Sequence, residues 1–142
     1  MKKFQFSLER VLQLKKFNEE EGRMALGIAI SILNEIENNI KENALKHYQA
    51  SNEKLNDPSQ MIIWNNYLVR LEHEKEELLE KATHAEIVVE EKREIYTESL
   101  KELRAMEKLK EKKEKLYKKE MDVKESALVD ELYAAKAKSN EQ

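Results

Sequence analysis

Asn56-Asp57-Pro58-Ser59-Gln60 is the stretch that divides the chain. Asp57 is suited to cap a new helix, Pro58 to occupy its first position, and Gln60 sits where a capping-box partner belongs. A residue preceding proline is pushed away from helical dihedrals, so the helix before this point should end near Leu55. Upstream, Ser7 has Phe6 before it and Val11 four positions after it, which is the pattern of an N-cap with a hydrophobic staple. Helix one is therefore expected over about 8–55, a turn at about 56–57, and helix two from about 58. Neither Gly nor Pro follows Pro58, and Lys136 and Lys138 suit a helix C-terminal dipole, so helix two should reach about 137, followed by a flexible C-terminal tail.

Helix two carries its own evidence for a partner. Steps of four and three connect Trp64, Leu68, Leu71, Lys75, Leu78, Ala82, Ala85, Val89, Lys92, Tyr96, Ser99, Leu103 and Met106. Ten of these thirteen positions are apolar, the signature of a coiled-coil seam. Beyond Met106 the same register reads Lys110, Lys113, Tyr117, Glu120 and Lys124, so the seam fades. If helix one folds back on helix two, residue i should lie opposite 113 − i. Leu8 then meets the neighbourhood of Met106, Val11 meets Leu103, Phe17 meets Tyr96, Leu45 meets Leu68, and Ile36 comes near Leu78. Ile28 and Ile32 would stand opposite Ala85 and Ala82, large residues against small ones. At about 1.5 Å per residue, helix two would be about 120 Å long and helix one about 70 Å, leaving roughly 30 residues of helix two alone. Gly22 and Gly27 each weaken helix one by about 1 kcal/mol relative to Ala, unless the helices approach closely there.

The composition agrees with one all-α coiled-coil domain spanning the chain. Of 142 residues, 39% are charged and only two are Gly and one Pro, which excludes an ordinary globular core. A net charge of −3 removes the general electrostatic case for a nucleic-acid or anionic-membrane protein. Without cysteine there is no disulfide framework and no thiolate chemistry, so a reducing cytoplasm is the expected setting. The N-terminal residues turn charged too soon for a signal peptide. Ala25–Leu33, the longest apolar run, is far shorter than the roughly 20 residues of a membrane span.

Catalytic constellations are not found. His47, His73 and His84 lie on long helices without an HExxH arrangement, and His73 and His84 are separated by about 16 Å of helix, too far to share a metal. No glycine-rich loop is present to cradle a phosphate. The carboxylates lie on solvated faces, in pairs such as Glu77/Lys81 and Glu111/Lys115. A two-helix rod offers no closed pocket in which to drive their pKa values apart. The expectation is a protein that is not an enzyme and has no cofactor and no metal.

Three surfaces invite partners instead. Lys108 to Lys119 holds seven lysines, Lys112 and Lys113 among them, against Glu111 and Glu114. A solvated helix face is its first reading and an acidic protein surface the next; missing arginines and a single ring, Tyr117, disfavour nucleic acid. Leu128, Val129, Leu132 and Tyr133 form an apolar patch beyond the reach of helix one, to be covered by a partner or by a second copy. Trp64, Tyr67, Leu68 and Leu71 cluster near the turn; Trp64 and Leu68 fall on the seam, where core packing is their first explanation, and Tyr67 falls beside it, where an exposed ring would be a good binding anchor.

The opening Phe4-Gln5-Phe6-Ser7-Leu8-Glu9-Arg10-Val11-Leu12-Gln13-Leu14 resembles the FxFxLxxVLxL start of the FliJ family of flagellar export proteins, and the turn and Lys/Glu-rich final third resemble it too. The resemblance implies an antiparallel two-helix coiled-coil hairpin with a longer second helix, similar to the two-helix part of the F-type ATPase gamma subunit. It implies a stalk whose paired termini enter the ring of the export ATPase FliI. The same rod would engage the cytoplasmic domain of the export-gate protein FlhA and help handle export chaperones, in the cytoplasm beside the inner membrane. The family's gate-contacting aromatic and leucine match Tyr67 and Leu71, with Trp64 beside them. Glu74 and Leu78 stand where the family has a small residue and a histidine. Ring contacts are expected from Leu8, Lys112, Lys113, Leu128, Val129, Leu132 and Tyr133. The free protein should be a monomer, with neither nucleic acid nor an integral membrane segment involved. An injectisome stalk of the same architecture and a homodimeric coiled-coil adaptor are the alternatives.

Overall fold

A computed structural model describes residues 2–140. Two helices, α1 (Glu9–Ser51) and α2 (Pro58–Asn140), pack against each other, with no strand among the described residues. The fold is thus the expected all-α two-helix hairpin. Residues divide into two compact units, one containing the turn, Glu19–Glu98, and one of the two terminal segments, Met1–Asn18 with Ser99–Gln142.

Each boundary has a local cause. Asp57 caps α2 as its sequence suggested: its Oδ1 accepts from the Ser59 backbone N–H at 3.1 Å and from the Ser59 hydroxyl at 3.0 Å, while its carbonyl takes the Met61 N–H. α1 stops at Ser51 rather than near Leu55. The Trp64 indole donates to the Ala50 carbonyl at 2.7 Å, so a ring from α2 satisfies one of the orphan acceptors at the end of α1. Ser51 also turns its hydroxyl onto the His47 carbonyl at 2.7 Å, competing with the backbone for that acceptor. At the other end, Leu8 rather than Ser7 gives the first helical carbonyl, to Leu12 N–H, and a Glu9-to-Phe6 turn precedes it. Phe6 is consequently buried with Leu12 and Leu103, and not stapled to the half-exposed Val11. α2 continues through the expected tail to Asn140; Glu141 and Gln142 lie outside the described residues.

In the turn-containing unit the α2 seam follows the expected steps. Trp64, Leu68, Leu71, Leu78, Ala82, Ala85, Val89, Lys92 and Tyr96 are all buried or half-buried; Lys75 alone is exposed. On α1 the inner face keeps Ile36 from the expected set but otherwise differs from it. Glu19, Gly22, Leu26, Ala29, Leu33, Ile36, Ile40, Asn43, His47 and Ala50 recur in steps of three and four and are buried or half-buried, whereas Ile28, Ile32 and Leu45 are at least half exposed. Polar members of this face are used across the interface. Asn43 donates to the Leu71 carbonyl at 3.0 Å, Tyr96 donates its hydroxyl to Glu19 at 3.2 Å, and His47 lies 3.8 Å from Glu72. A buried asparagine at a seam position fixes register, at some cost, and here its Oδ1 has no partner among the described residues. Gly22 is the close approach: a Cβ there would meet the Tyr96 Cα at 3.4 Å. Gly27 has open space instead.

The terminal unit is built from larger side chains. Phe6, Leu12 and Leu103 form its core, with Phe4, Met106 and Leu109 packed against them. Phe4 also meets the Tyr117 ring with centroids 5.6 Å apart. Lys15 bonds Glu102 at 2.9 Å and Lys110 bonds Glu9 at 3.0 Å, which sets the pairing several residues beyond the 113 − i rule. The non-helical segment before α1 therefore covers α2 as far as Tyr117. The bare stretch is correspondingly shorter than the 30 residues expected: every residue from 122 to 140 is exposed.

Candidate partner-binding surfaces

The first surface lies at the start of α2. The Trp64 and Tyr67 rings stand 5.5 Å apart, and the Arg70 guanidinium lies 5.3 Å from the Tyr67 centroid, a cation–π contact that holds the phenol against the helix. Ile63, Trp64, Asn66, Tyr67 and Arg70 surround a shallow cavity of about 470 Å³. Met61, Ile62 and Ile63 are more than half exposed. They extend the apolar surface toward the turn, and sequence reasoning passed over them although the run Met61-Ile62-Ile63-Trp64 was there to read. Leu71, expected as a gate contact, is only 2% exposed. It points into the helix interface, and its carbonyl receives Asn43, so it holds α2 in place and offers nothing to a partner. Trp64 is half-buried with its N–H already committed to Ala50. Tyr67, expected to be exposed, is half-buried as well, its ring in contact with Trp64 and Arg70, and its hydroxyl makes no hydrogen bond among the described residues.

The second surface belongs to the terminal unit. Leu8 is 37% exposed, beside the Glu9–Lys110 pair. Lys112 and Lys113 are exposed and make no ion pair among the described residues, in contrast to Lys110 and Lys115, which bind Glu9 and Glu111. The Lys110 ammonium, followed by the Gln13 amide, donates to Glu9 and holds its carboxyl below the ordinary value of 4.5. Leu128, Val129, Leu132 and Tyr133 are exposed on the bare part of α2. Leu128 lies about 27 Å along the helix from Lys110, so the residues expected to meet a ring form a graded strip, basic then apolar, and not one patch.

Charge separates the two units. Residues 19–98 hold 9 basic and 18 acidic side chains, a net of −9; residues 1–18 with 99–142 hold 17 basic and 11 acidic, a net of +6. The chain's small overall charge conceals this asymmetry, which a count by segment would have found. No helix among the described residues is long and apolar enough to cross a membrane.

A protein-family profile described as the flagellar FliJ protein matches residues 4–142. Comparisons with curated proteins and with solved structures returned no match.

Proposed function

This chain belongs to the flagellar FliJ family and is a component of the flagellar protein-export apparatus; on that premise we propose that it is a non-catalytic stalk coupling the export ATPase ring to the export gate. The observation that carries the reading is the end of α2, where the helix continues for 19 exposed residues, 122–140, with Leu128, Val129, Leu132 and Tyr133 uncovered. A single helix is about 10–12 Å across with its side chains, slim enough for the central channel of a ring. Lys112 and Lys113, which no carboxylate among the described residues neutralises, attract acidic groups on the ring wall, and the apolar tip seats against loops. Many weak contacts of this kind tolerate relative rotation better than one tight anchor does.

The gate contact falls to Tyr67, supported by Arg70 and Ile63 in the acidic, turn-containing unit. Leu71→Ala would break the seam, so Tyr67→Ala with Ile63→Ala is the informative pair: it weakens binding of the FlhA cytoplasmic domain and spares the ring. Equal loss of both would signal a damaged hairpin. Export chaperones are further partners on this reading, and the site of action is the cytoplasm at the flagellar base.

Truncation after Glu125 is the direct test. It removes the four apolar side chains but none of the residues that pack the two helices together. Stimulation of FliI ATPase activity is expected to be lost with helical circular dichroism retained; full stimulation by the truncated chain contradicts the stalk. A stable dimer in light scattering would favour the homodimeric adaptor.

A further inference from the structure

Bulky aliphatics on the outer face of α1 remain unexplained by either surface. Met24, Ile28 and Ile32 are 67%, 59% and 50% exposed, one helical turn apart. Ile32 also forms the lip of a groove of about 540 Å³ between the helices, whose apolar floor includes Ala29, Ile36, Ala85 and Val88. Small alanines at the interface create this groove, because they bring the backbones together and leave no side chain to fill the cleft above them. Stripe and groove join at Ile32 into one apolar surface running from Met24 to Ile36, about 18 Å of helix.

We propose that this surface binds one basic amphipathic helix of another protein, laid along α1 with its apolar face in the groove. Charge selects that partner. Glu35 and Glu80 border the apolar surface, accompanied by Lys81 and His84, within a unit whose net charge is −9. A second copy is the poorer occupant on two counts. Meeting it with the same surface, a second copy would bring −9 against −9, and Met24, Ile28 and Ile32 together expose on the order of 300 Å², far below the roughly 800 Å² per partner of a stable interface. A helix seated in a groove through i, i+4 and i+8 anchors needs only such a strip.

The probe is a fluorescent synthetic peptide of about 18 residues with Leu on one helical face and Lys on the other. Its controls are a scrambled Leu/Lys peptide and a Leu/Glu peptide, each titrated against the full chain by anisotropy. The aligned Leu/Lys peptide should bind at least about tenfold more tightly than either control. Ile28→Ser with Ile32→Ser should reduce its affinity about tenfold, while Leu128→Ser with Leu132→Ser leaves it unchanged. Glu35→Lys, an exposed helix position that cannot disturb the seam, should weaken the Leu/Lys peptide several-fold and guards against misfolding of the serine variant. Equal binding of the controls, or unchanged affinity in the serine and Glu35→Lys variants, overturns the proposal. So does a dimer that Ile28→Ser with Ile32→Ser dissociates. None of these outcomes depends on ATPase stimulation, so the stalk reading stands or falls separately.

Discussion

The two units solve the same packing problem with opposite means. In the turn-containing unit, α1 and α2 meet through Gly22, Ala29, Ala82 and Ala85 alongside larger residues such as Ile36 and Leu71, so the helices approach closely there and Met24, Ile28 and Ile32 are turned outward. At the termini, Phe6, Leu12 and Leu103 fill the interface and it is the lysines that face water. The first arrangement leaves a sticky acidic surface, the second a basic one with an apolar tip. Interface side-chain size thus decides which chemistry each unit has left to offer a partner.

The largest effect that separates the two units should come from deletion inside the aromatic core. Leu12→Ala, at a site 1% exposed, is expected to cost about 3 kcal/mol in urea denaturation, whereas Ile32→Ala should change stability by less than about 0.5 kcal/mol. Comparable losses would mean that Ile32 belongs to the seam after all. Overpacking should show the reverse sensitivity: Ala85→Leu, in the narrow interface, should cost about 2 kcal/mol and lower the midpoint of thermal unfolding. Trp64→Phe keeps a ring but removes the cap on Ala50, and should cost about 1 kcal/mol, with faster hydrogen exchange confined to the last turn of α1.

The smallest effect is electrostatic and belongs to the terminal unit. Glu9 is depressed in the folded chain by Lys110 and Gln13, so its contribution is present above the ordinary glutamate value of 4.5 and disappears as pH falls through the lower folded value. Melting temperatures of the native chain and Glu9→Gln should therefore differ slightly at pH 6 and converge as the pH drops below 4.5, the difference shrinking with added salt because the pair is solvent-accessible.

Much of this fold was legible, for physical reasons that also explain the misses. Pro58 and Asp57 act through local backbone chemistry, and the α2 seam is apolar enough to be followed by spacing alone. The α1 seam was not, because Lys15, Glu19, Asn43 and His47 occupy it and each is made tolerable only by a group on α2: Glu102, Tyr96, the Leu71 carbonyl and Glu72. Reading Ile28 and Ile32 as inward followed from hydrophobicity; their actual direction follows from the size of Ala29 and Gly22. The end of α1 was misplaced because its cap, Trp64, comes from the other helix. Of the candidate contacts, exposure of the Leu128–Tyr133 tip was evident from the seam's fading, while burial of Leu71 was foreseeable because it lies on the seam.

Disulfide formation between introduced cysteines tests the α1 seam most directly, since the chain has none of its own. A Cβ at position 22 would lie 3.7 Å from the Tyr96 Cβ, within the usual range for a disulfide. Gly22→Cys with Tyr96→Cys should oxidise rapidly to an intramolecular cross-link, and Ile28→Cys with Ala85→Cys should remain reduced under the same conditions. Cross-linking of the second pair in preference to the first would place Ile28 in the interface and contradict the account.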